Sequence, residues 1–530
     1  MWGTIPNLIR WAAEEFGDDP AVADGSVQLT FAELADRVAE SAAAATAAGV
    51  QPGDRVAIWA PNTHRWILAA LGAVAAGGVL VPINTRFKGR EAGYVLEKSG
   101  ARLLFTMGEF LGTAYVDLLR DALGGEPTES LPSLERVVLL DDAESHGGQV
   151  FDEYLLHGHV VSPEEVERRA GQLTSDHLSD VIFTSGTTGK PKGVMTTHGQ
   201  SLRVFEVWSR LVGLTRGDRY LVVNPFFHTF GYKAGILAAI MRGATVHPHA
   251  VFDAEQVMRR IEAEGITFLP GPPTLYQSIL NHPDRIQHDL SSLRVAVTGA
   301  AVVPVELIRR MREELTFETI LTAYGLTEST GTATMCRPGD DEETIAATSG
   351  RAIPDTEVRV VDDRGQPLGR GMPGDVVIRG YNVMQGYFED LDATAEAIDQ
   401  HGWLHTGDIG VMDDRSYLRI TDRKKDVFIV GGFNAYPAEI ENELLRHPVV
   451  GQVAVVGVPD ERLGEVGVAF VVPRPDATAD PDELIAWARD QMANYKVPRR
   501  VEVVQELPMN ASGKVLKFEL RERAAPAEVQ

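Results

Sequence analysis

Val181-Ile182-Phe183 runs directly into Thr184-Ser185-Gly186-Thr187-Thr188-Gly189-Lys190-Pro191-Lys192-Gly193. The first three residues read as a buried strand. The ten that follow hold three glycines, four hydroxyls and two lysines. Glycines let successive backbone N–H groups face one side, a concavity suited to phosphate, and the hydroxyls and ammonium groups add donors. The spacing is not that of the Walker loop, which needs four residues between its first glycine and Gly-Lys, then Ser or Thr. Here Pro191 follows the lysine and pushes Lys190 toward extended backbone. The stretch is therefore expected to be strand, loop and return strand, with Gly193–Thr197 coming back. A solvated Gly/Thr turn is the plain alternative; its position straight after a buried strand argues against it.

Outward from this loop, residues 20–310 alternate. Short β-branched runs (Val56-Ala57-Ile58, Val79-Leu80-Val81, Val137-Val138-Leu139, Tyr220-Leu221-Val222-Val223) are separated by amphipathic stretches such as Phe31–Ala48, closed by Gly49. That rhythm predicts parallel sheets covered by helices. Trp66–Ile83 is uncharged and long enough to suggest a membrane span. Gly77-Gly78 and Pro82 break it, so a buried helix followed by a core strand is expected. After residue 350 the pattern changes to short strands with Gly-rich turns, Val358–Val361 and Asp375–Arg379, a small β subdomain. Asp422-Arg423-Lys424-Lys425-Asp426 is a charged knot between the apolar strands Tyr417–Ile420 and Val427–Val430. A compact α/β pattern then restarts, with a helix beginning at Pro437, where proline and Glu439 suit a first turn, and strands at Val453–Val458 and Val466–Val472. The expected class is α/β: a large N-terminal domain (1–421) of two helix-covered sheets plus the β subdomain, a hinge at 422–426, and a small mobile α+β domain (427–530).

The 530 residues suggest about three folding units at roughly 150 residues each. A net charge of −25 argues against nucleic acid, which requires a basic face, though not against a small nucleotide. One cysteine, Cys336, permits no intrachain disulfide. With no basic, apolar leader at the N-terminus, a reducing cytoplasm is expected.

Further motifs have their own chemistry. In Ala323-Tyr324-Gly325-Leu326-Thr327-Glu328, Tyr324 can stack on a base and Glu328 can hold a hard cation through oxygen; alone, the segment also reads as a helix cap. Asp408, in Trp403-Leu404-His405-Thr406-Gly407-Asp408, can accept two sugar hydroxyls or simply occupy a turn. Asn224-Pro225-Phe226-Phe227-His228-Thr229-Phe230-Gly231 sets a histidine among aromatics, a context in which packed core histidines are common. Gly431-Gly432-Phe433-Asn434 allows an extended ligand to approach, or merely ends a strand. Leu507-Pro508-Met509-Asn510-Ala511-Ser512-Gly513-Lys514 ends in a lysine that would otherwise be a solvated surface group.

Taken in order, these motifs resemble the adenylate-forming superfamily of acyl-CoA synthetases, luciferases and stand-alone adenylation domains, over nearly the whole chain. The resemblance implies ATP, Mg²⁺ and coenzyme A as reactants and cofactor, and a carboxylic acid as partner, with a homodimer as the family-level expectation. It implies a phosphate loop of Thr184, Ser185, Gly186, Thr187, Thr188, Gly189, Lys190 and Lys192. It places the adenine at Gly299, Ala300, Ala301, Tyr324, Gly325 and Thr327, the metal at Thr184 and Glu328, and the ribose at Asp408 and Arg423. His228 becomes a gate at the acyl site, beside Phe230, Gly231, Tyr232 and Lys233. Lys514 becomes the adenylation lysine, in a loop where Met509 and Asn510 depart from the usual basic residue and Thr. Gly431, Gly432, Phe433 and Asn434 line a pantetheine tunnel, and Lys425 is the hinge.

The acyl segments Asn224–Ala239, Leu269–Leu280, Val297–Pro304 and Thr334–Pro338 further resemble an actinobacterial subgroup that activates HIP, a methyl-dioxo-hydrindane propanoate left from sterol rings. Medium-chain or aryl acids are alternatives. So are a module that loads a carrier protein and an AMP-binding sensor without catalysis.

Overall fold

The computed structural model describes residues 2–141, 147–184, 190–299, 303–430, 433–460, 462–475, 477–509 and 515–524, with Phe433 and Asn434 described by backbone alone. Two compact units divide the chain: residues 1–357 with 378–404, and residues 358–377 with 405–530.

In the first unit an eight-stranded sheet runs in the order Gly386–Tyr387, Lys192–Thr197, Leu178–Thr184, Val79–Pro82, Arg55–Trp59, Leu103–Thr106, Arg136–Leu139, Gln149–Val150. Its middle is parallel, as the alternating pattern predicts, with Val56 opposite both Leu80 and Leu103. Its loop-bearing edge is antiparallel. A second sheet layer joins two four-stranded sets: Arg219–Val222 with Thr245–Pro248, Pro20–Asp24 and Val27–Thr30, and Val295–Gly299 with Thr319–Tyr324, Thr334–Met335 and Arg351–Ala352. Phe268 bridges the two sets, pairing with Tyr220 on one side and Val295 on the other.

The uncharged stretch at Trp66–Ile83 is core. Helix His64–Ala75, capped by the Thr63 hydroxyl, buries Trp66, Ile67, Leu68 and Leu71. Gly77 turns the chain at φ +95°, and strand Val79–Pro82 follows, buried at each position. Each large apolar side chain so enclosed contributes about 1.5–3 kcal/mol. Among the described residues no helix is long and apolar enough to cross a membrane. Helix starts follow local chemistry: Thr30 with Glu33, and Thr197 with Gln200, form reciprocal caps on helices Phe31–Ala47 and His198–Leu211.

The second unit holds most of a sheet ordered Thr356–Val361, Pro373–Gly380, Leu404–Met412, Leu418–Arg423, and all of a five-stranded sheet of Phe433–Ala435, Phe428–Val430, Gly464–Pro473, Val450–Asp460 and Arg500–Val503. The last strand lies parallel to Gly464–Pro473. One face of this sheet packs Phe428, Val455 and Val471 against Ile440, Leu444 and Leu484. The other packs Val456, Val468 and Phe470 against Leu507 and Leu520. The charged knot is a tight turn in which the N–H groups of Asp426 and Val427 both reach the Arg423 carbonyl.

Candidate active site

Strand Leu178–Thr184 and return strand Lys192–Thr197 form the expected hairpin, with Thr184 opposite Lys192 and Phe183 opposite Gly193. A Cβ at Gly193 would lie 2.8 Å from Val181 Cγ1 and 3.0 Å from Phe183 Cζ, so a side chain there would displace these two neighbours on the facing strand. Ser185, Gly186, Thr187, Thr188 and Gly189 lie outside the described residues, as do Ala300, Ala301, Gly431, Gly432 and Lys514. The two loop lysines rest on aromatic faces. Lys190 Nζ is 5.5 Å from the Tyr94 ring centre and Lys192 Nζ is 5.1 Å from that of Tyr387.

Tyr387 ties the hairpin to Glu328. Strand Gly386–Tyr387 pairs with the return strand, Tyr387 opposite Val194. Its hydroxyl donates to Glu328 Oε1 at 2.9 Å, while the Glu328 carbonyl accepts from Met384 N at 2.9 Å. Burial, reinforced by the adjacent carboxylate, pushes the Tyr387 phenol well above its ordinary pKa, so it stays a donor. Glu328 sits in a single 3₁₀ turn, Thr327–Ser329, followed by Thr330 at φ +54°. The turn is fixed from both sides. A Cβ on Gly325 would meet the Gly331 carbonyl oxygen at 2.4 Å, and one on Gly331 would meet Thr229 Cγ2 at 2.4 Å. The second close approach sets the Tyr324–Glu328 motif against the His228 segment. Parallel pairing puts Gly299 beside Ala323, next to Tyr324.

Among the described residues no group of three or more His, Cys, Asp or Glu could hold a metal. A Mg²⁺ ion bound with substrate phosphates needs only one or two protein oxygens. Glu328 and the Thr184 hydroxyl are hard oxygen donors of that kind, so the donor set fits a phosphate-borne Mg²⁺ and not an all-protein cage.

In the second unit Asp408 lies opposite Arg423 across an antiparallel ladder, and Arg423 Nε is 2.6 Å from Asp408 Oδ1. The two residues expected at a ribose therefore touch each other. Gly407, at φ +71°, turns the strand there, and its carbonyl accepts from Lys424 N. Lys425 is exposed, and burial of its surroundings lowers its pKa. Neighbouring Asp422 is buried. It accepts from Ala438 N at 2.8 Å, pinning the start of helix Pro437–Leu444, and from Arg423 N at 3.0 Å. Burial raises its carboxyl to about 6.

The His228 segment departs from expectation. His228 Nδ1 accepts from Phe230 N at 3.1 Å. The residue is exposed, and desolvation by the surrounding protein lowers its pKa. Phe230 is partly exposed and meets Trp208 edge-on at 6.2 Å. Gly231 is obligatory, since a Cβ would lie 2.1 Å from the Pro225 carbonyl oxygen. Tyr232 and Lys233, expected to offer donors to an acyl group, are 0% and 1% exposed. Tyr232 packs on Trp66, and Lys233 Nζ lies 2.8 Å from Asp180 Oδ1. The ammonium is engaged inside the core, which removes it from the acyl wall. Two contributors were not foreseen: Tyr387, and Asn62, whose amide nitrogen donates to the Val222 and Asn224 carbonyls while its oxygen accepts from Phe226 N. Their partners are far away in sequence, and only the Gly386-Tyr387 dipeptide at a strand edge offered a local cue.

The model of the AMP-binding enzyme family matches residues 9–388, and that of the AMP-binding enzyme C-terminal domain matches residues 439–514. A Rhodococcus jostii (strain RHA1) protein named 3-[(3aS,4S,7aS)-7a-methyl-1,5-dioxo-octahydro-1H-inden-4-yl]propanoyl:CoA ligase is 52% identical over 520 residues, covering 98% of each chain. Its namesake from Mycobacterium tuberculosis (strain ATCC 25618 / H37Rv) is 49% identical over 519 residues, again covering 98% of each. Among solved structures, the anthranilate CoA ligase AuaEII in complex with anthranoyl-AMP superposes with a TM-score of 0.88 at 27% identity, covering 99% of this chain and 98% of that one. By sequence and by fold, the chain belongs to the AMP-binding enzyme family, among its AMP-forming acyl-CoA synthetases.

Proposed function

We propose that this enzyme activates the bicyclic propanoate HIP, joining it to coenzyme A with ATP and releasing AMP and pyrophosphate. One observation carries the choice of acid: two relatives from separate genera, both named for that acid, match along 98% of their length at 52% and 49% identity. The exposed His228 and the partly exposed Phe230 suit a broad apolar acyl site with few polar groups.

A carboxylate is a poor acyl donor because oxide would have to leave. Attack of its oxygen on the α-phosphate of ATP expels pyrophosphate and makes AMP the leaving group. The protein's contribution is to place donors where phosphoryl charge accumulates. Thr184, Ser185, Gly186, Thr187, Thr188, Gly189, Lys190 and Lys192 cradle the phosphates; Tyr324, Gly325, Thr327, Gly299, Ala300 and Ala301 hold the adenine. Asp408, oriented by Arg423, accepts from the ribose. Thr184 and Glu328 hold Mg²⁺, which supplies charge neutralisation on the phosphates. Lys514 stabilises the adenylation step. Gly431, Gly432, Phe433 and Asn434 then admit the pantetheine arm after rotation about Lys425, within the hinge 422–426 that separates residues 1–421 from 427–530. The thiol attacks the acyl carbon and AMP departs, with His228 gating the acyl entrance.

The test is AMP release with coenzyme A across a panel of acids: HIP, medium-chain fatty acids and aryl acids. HIP is expected to give the highest kcat/KM; a higher value for a fatty or aryl acid would reassign the substrate. In the same assay, Lys514→Ala is expected to lose about 10²–10³-fold in pyrophosphate exchange while still forming thioester from supplied acyl-AMP. Equal loss in both steps would remove the lysine from its assigned role.

A further inference from the structure

The strand that feeds the phosphate loop and the helix that follows His228 meet at one buried charge pair. Asp180 lies on strand Leu178–Thr184, four residues before Thr184, so alternation along the strand turns both side chains to the same face. Lys233 lies five residues after His228, in the π-helical segment Tyr232–Leu237. Segments of this kind recur at functional sites, because the extra residue re-aims neighbouring side chains. The ammonium is 2.8 Å from Asp180 Oδ1, with side-chain exposures of 1% and 0%.

The pair is braced from a third element. Ser179 Oγ donates to Asp180 Oδ2 at 2.6 Å and also contacts the Thr196 carbonyl, on the return strand of the hairpin, at 3.2 Å. Ser201 Oγ, from helix His198–Leu211, reaches the same carboxylate oxygen at 3.4 Å. The Tyr232 hydroxyl is buried beside them without a hydrogen-bond partner in the structure. Burying two charges costs more than well-packed apolar residues of the same volume would. A pair kept here, between the two elements that present the reactants, therefore calls for a role besides stability.

We propose that the Asp180–Lys233 pair positions the adenylation half-reaction: it locks the phosphate-loop strand to the helix that carries His228, so that ATP and carboxylate are presented at one fixed spacing. Neither residue touches substrate. This inference rests on the acyl-CoA synthetase reading above. Displacement of about 1 Å between reactants can cost on the order of 10²-fold in rate, which is the scale a loosened strut would reach.

The decisive variant removes both charges in matching shape, Asp180→Asn with Lys233→Met. Its amide oxygen can still accept from Ser179, so the fold is expected to melt within about 5 °C of the parent, a shift of about 1–2 kcal/mol. Pyrophosphate exchange is expected to fall about 10- to 100-fold, whereas thioester formation from supplied acyl-AMP, which no longer needs the phosphate loop, is expected to change less than about 3-fold. A stable double variant with parental exchange would overturn the proposal, as would equal loss in both half-reactions. If the double variant does not fold, Ser179→Ala with Ser201→Ala decides. That variant leaves the ion pair but slackens it, and a loss of exchange at unchanged melting temperature supports the role while unchanged exchange refutes it. Calorimetric binding of α,β-methylene-ATP gives an arm independent of the acid. It is expected to be weakened in the double variant, and parental affinity there would count against the proposal even if no acid in the panel were turned over. Failure of the parent enzyme on every acid, with this arm as expected, would instead indict the substrate reading.

Discussion

In the Asp180–Lys233 pair of the first unit both side chains are sealed from water; in the Asp408–Arg423 pair of the second, the carboxylate is sealed at 3% exposure and the guanidinium is open at 32%. The elements are the same, one carboxylate and one cation at 2.6–2.8 Å. What differs is where the cation can go. Lys233 has no route to solvent without opening the core, so its pair acts as architecture. Arg423 can swing into water or onto a ligand while Asp408 stays in the sheet, so its pair can be exchanged for a substrate contact. Asp422, one residue before Arg423, is a third case: a buried carboxylate held by the backbone N–H groups of Ala438 and Arg423, at the expense of a raised pKa.

Removing one member of the sealed pair should have the largest effect. Lys233→Ala strands a buried carboxylate and is expected to cost about 3–5 kcal/mol of stability, read from the midpoint of urea unfolding. A loss below about 1 kcal/mol would mean that water already reaches Asp180, and the comparison would collapse.

Asp422 comes next, and its sign is specific. Its folded pKa of about 6 lies above the ordinary 3.8, so the folded state holds the proton more tightly than the unfolded chain. Its effect is absent below the unfolded value; stability then falls as pH rises from about 4 to about 6 and is level above that. The span corresponds to roughly 2–3 kcal/mol. Asp422→Asn keeps an acceptor for Ala438 N and should flatten that slope in unfolding measured across this pH window. A slope as steep as the parent's would assign it to other groups.

The open pair should behave differently. Asp408→Asn is expected to leave folding nearly intact, because Arg423 can turn to solvent, while raising the KM for ATP about 10- to 30-fold, or roughly 1.4–2 kcal/mol of lost binding. A large drop in melting temperature with an unchanged KM would make this pair architectural too. The smallest effect is expected at Tyr387→Phe, which deletes the hydroxyl bond to Glu328 and keeps the ring beneath Lys192. A loss of about 1 kcal/mol should appear as a roughly 5-fold higher Mg²⁺ concentration for half-maximal rate, and unchanged Mg²⁺ dependence would show that Glu328 orients itself.

The hairpin of strands Leu178–Thr184 and Lys192–Thr197 could be read from sequence because its cues are local: apolar strand, glycines, a proline after lysine, apolar return. The buried helix and strand within Trp66–Ile83 were legible for the same reason. At Tyr232 and Lys233, expected at the acyl wall, adjacency in sequence suggests a shared surface that the burial of both side chains does not display. Phe230 keeps accessible surface while Tyr232 and Lys233 are 0% and 1% exposed, and nothing near Lys233 in the chain announces Asp180. Asn62 gives no local signal and Tyr387 only a faint one on the same grounds: each acts on residues brought close only by the folded sheets.

The antiparallel edge of the eight-stranded sheet has a consequence for synthesis. The return strand Lys192–Thr197 gains its outer neighbour only when Gly386 and Tyr387 pair with Met195 and Val194. A ribosome delivers those two residues long after the hairpin itself, and until then the strand presents unpaired backbone, the kind of edge that recruits other nascent chains. The outer edge of this hairpin is thus the last part of its sheet to close, and premature termination before residue 386 leaves a sticky, unfinished edge.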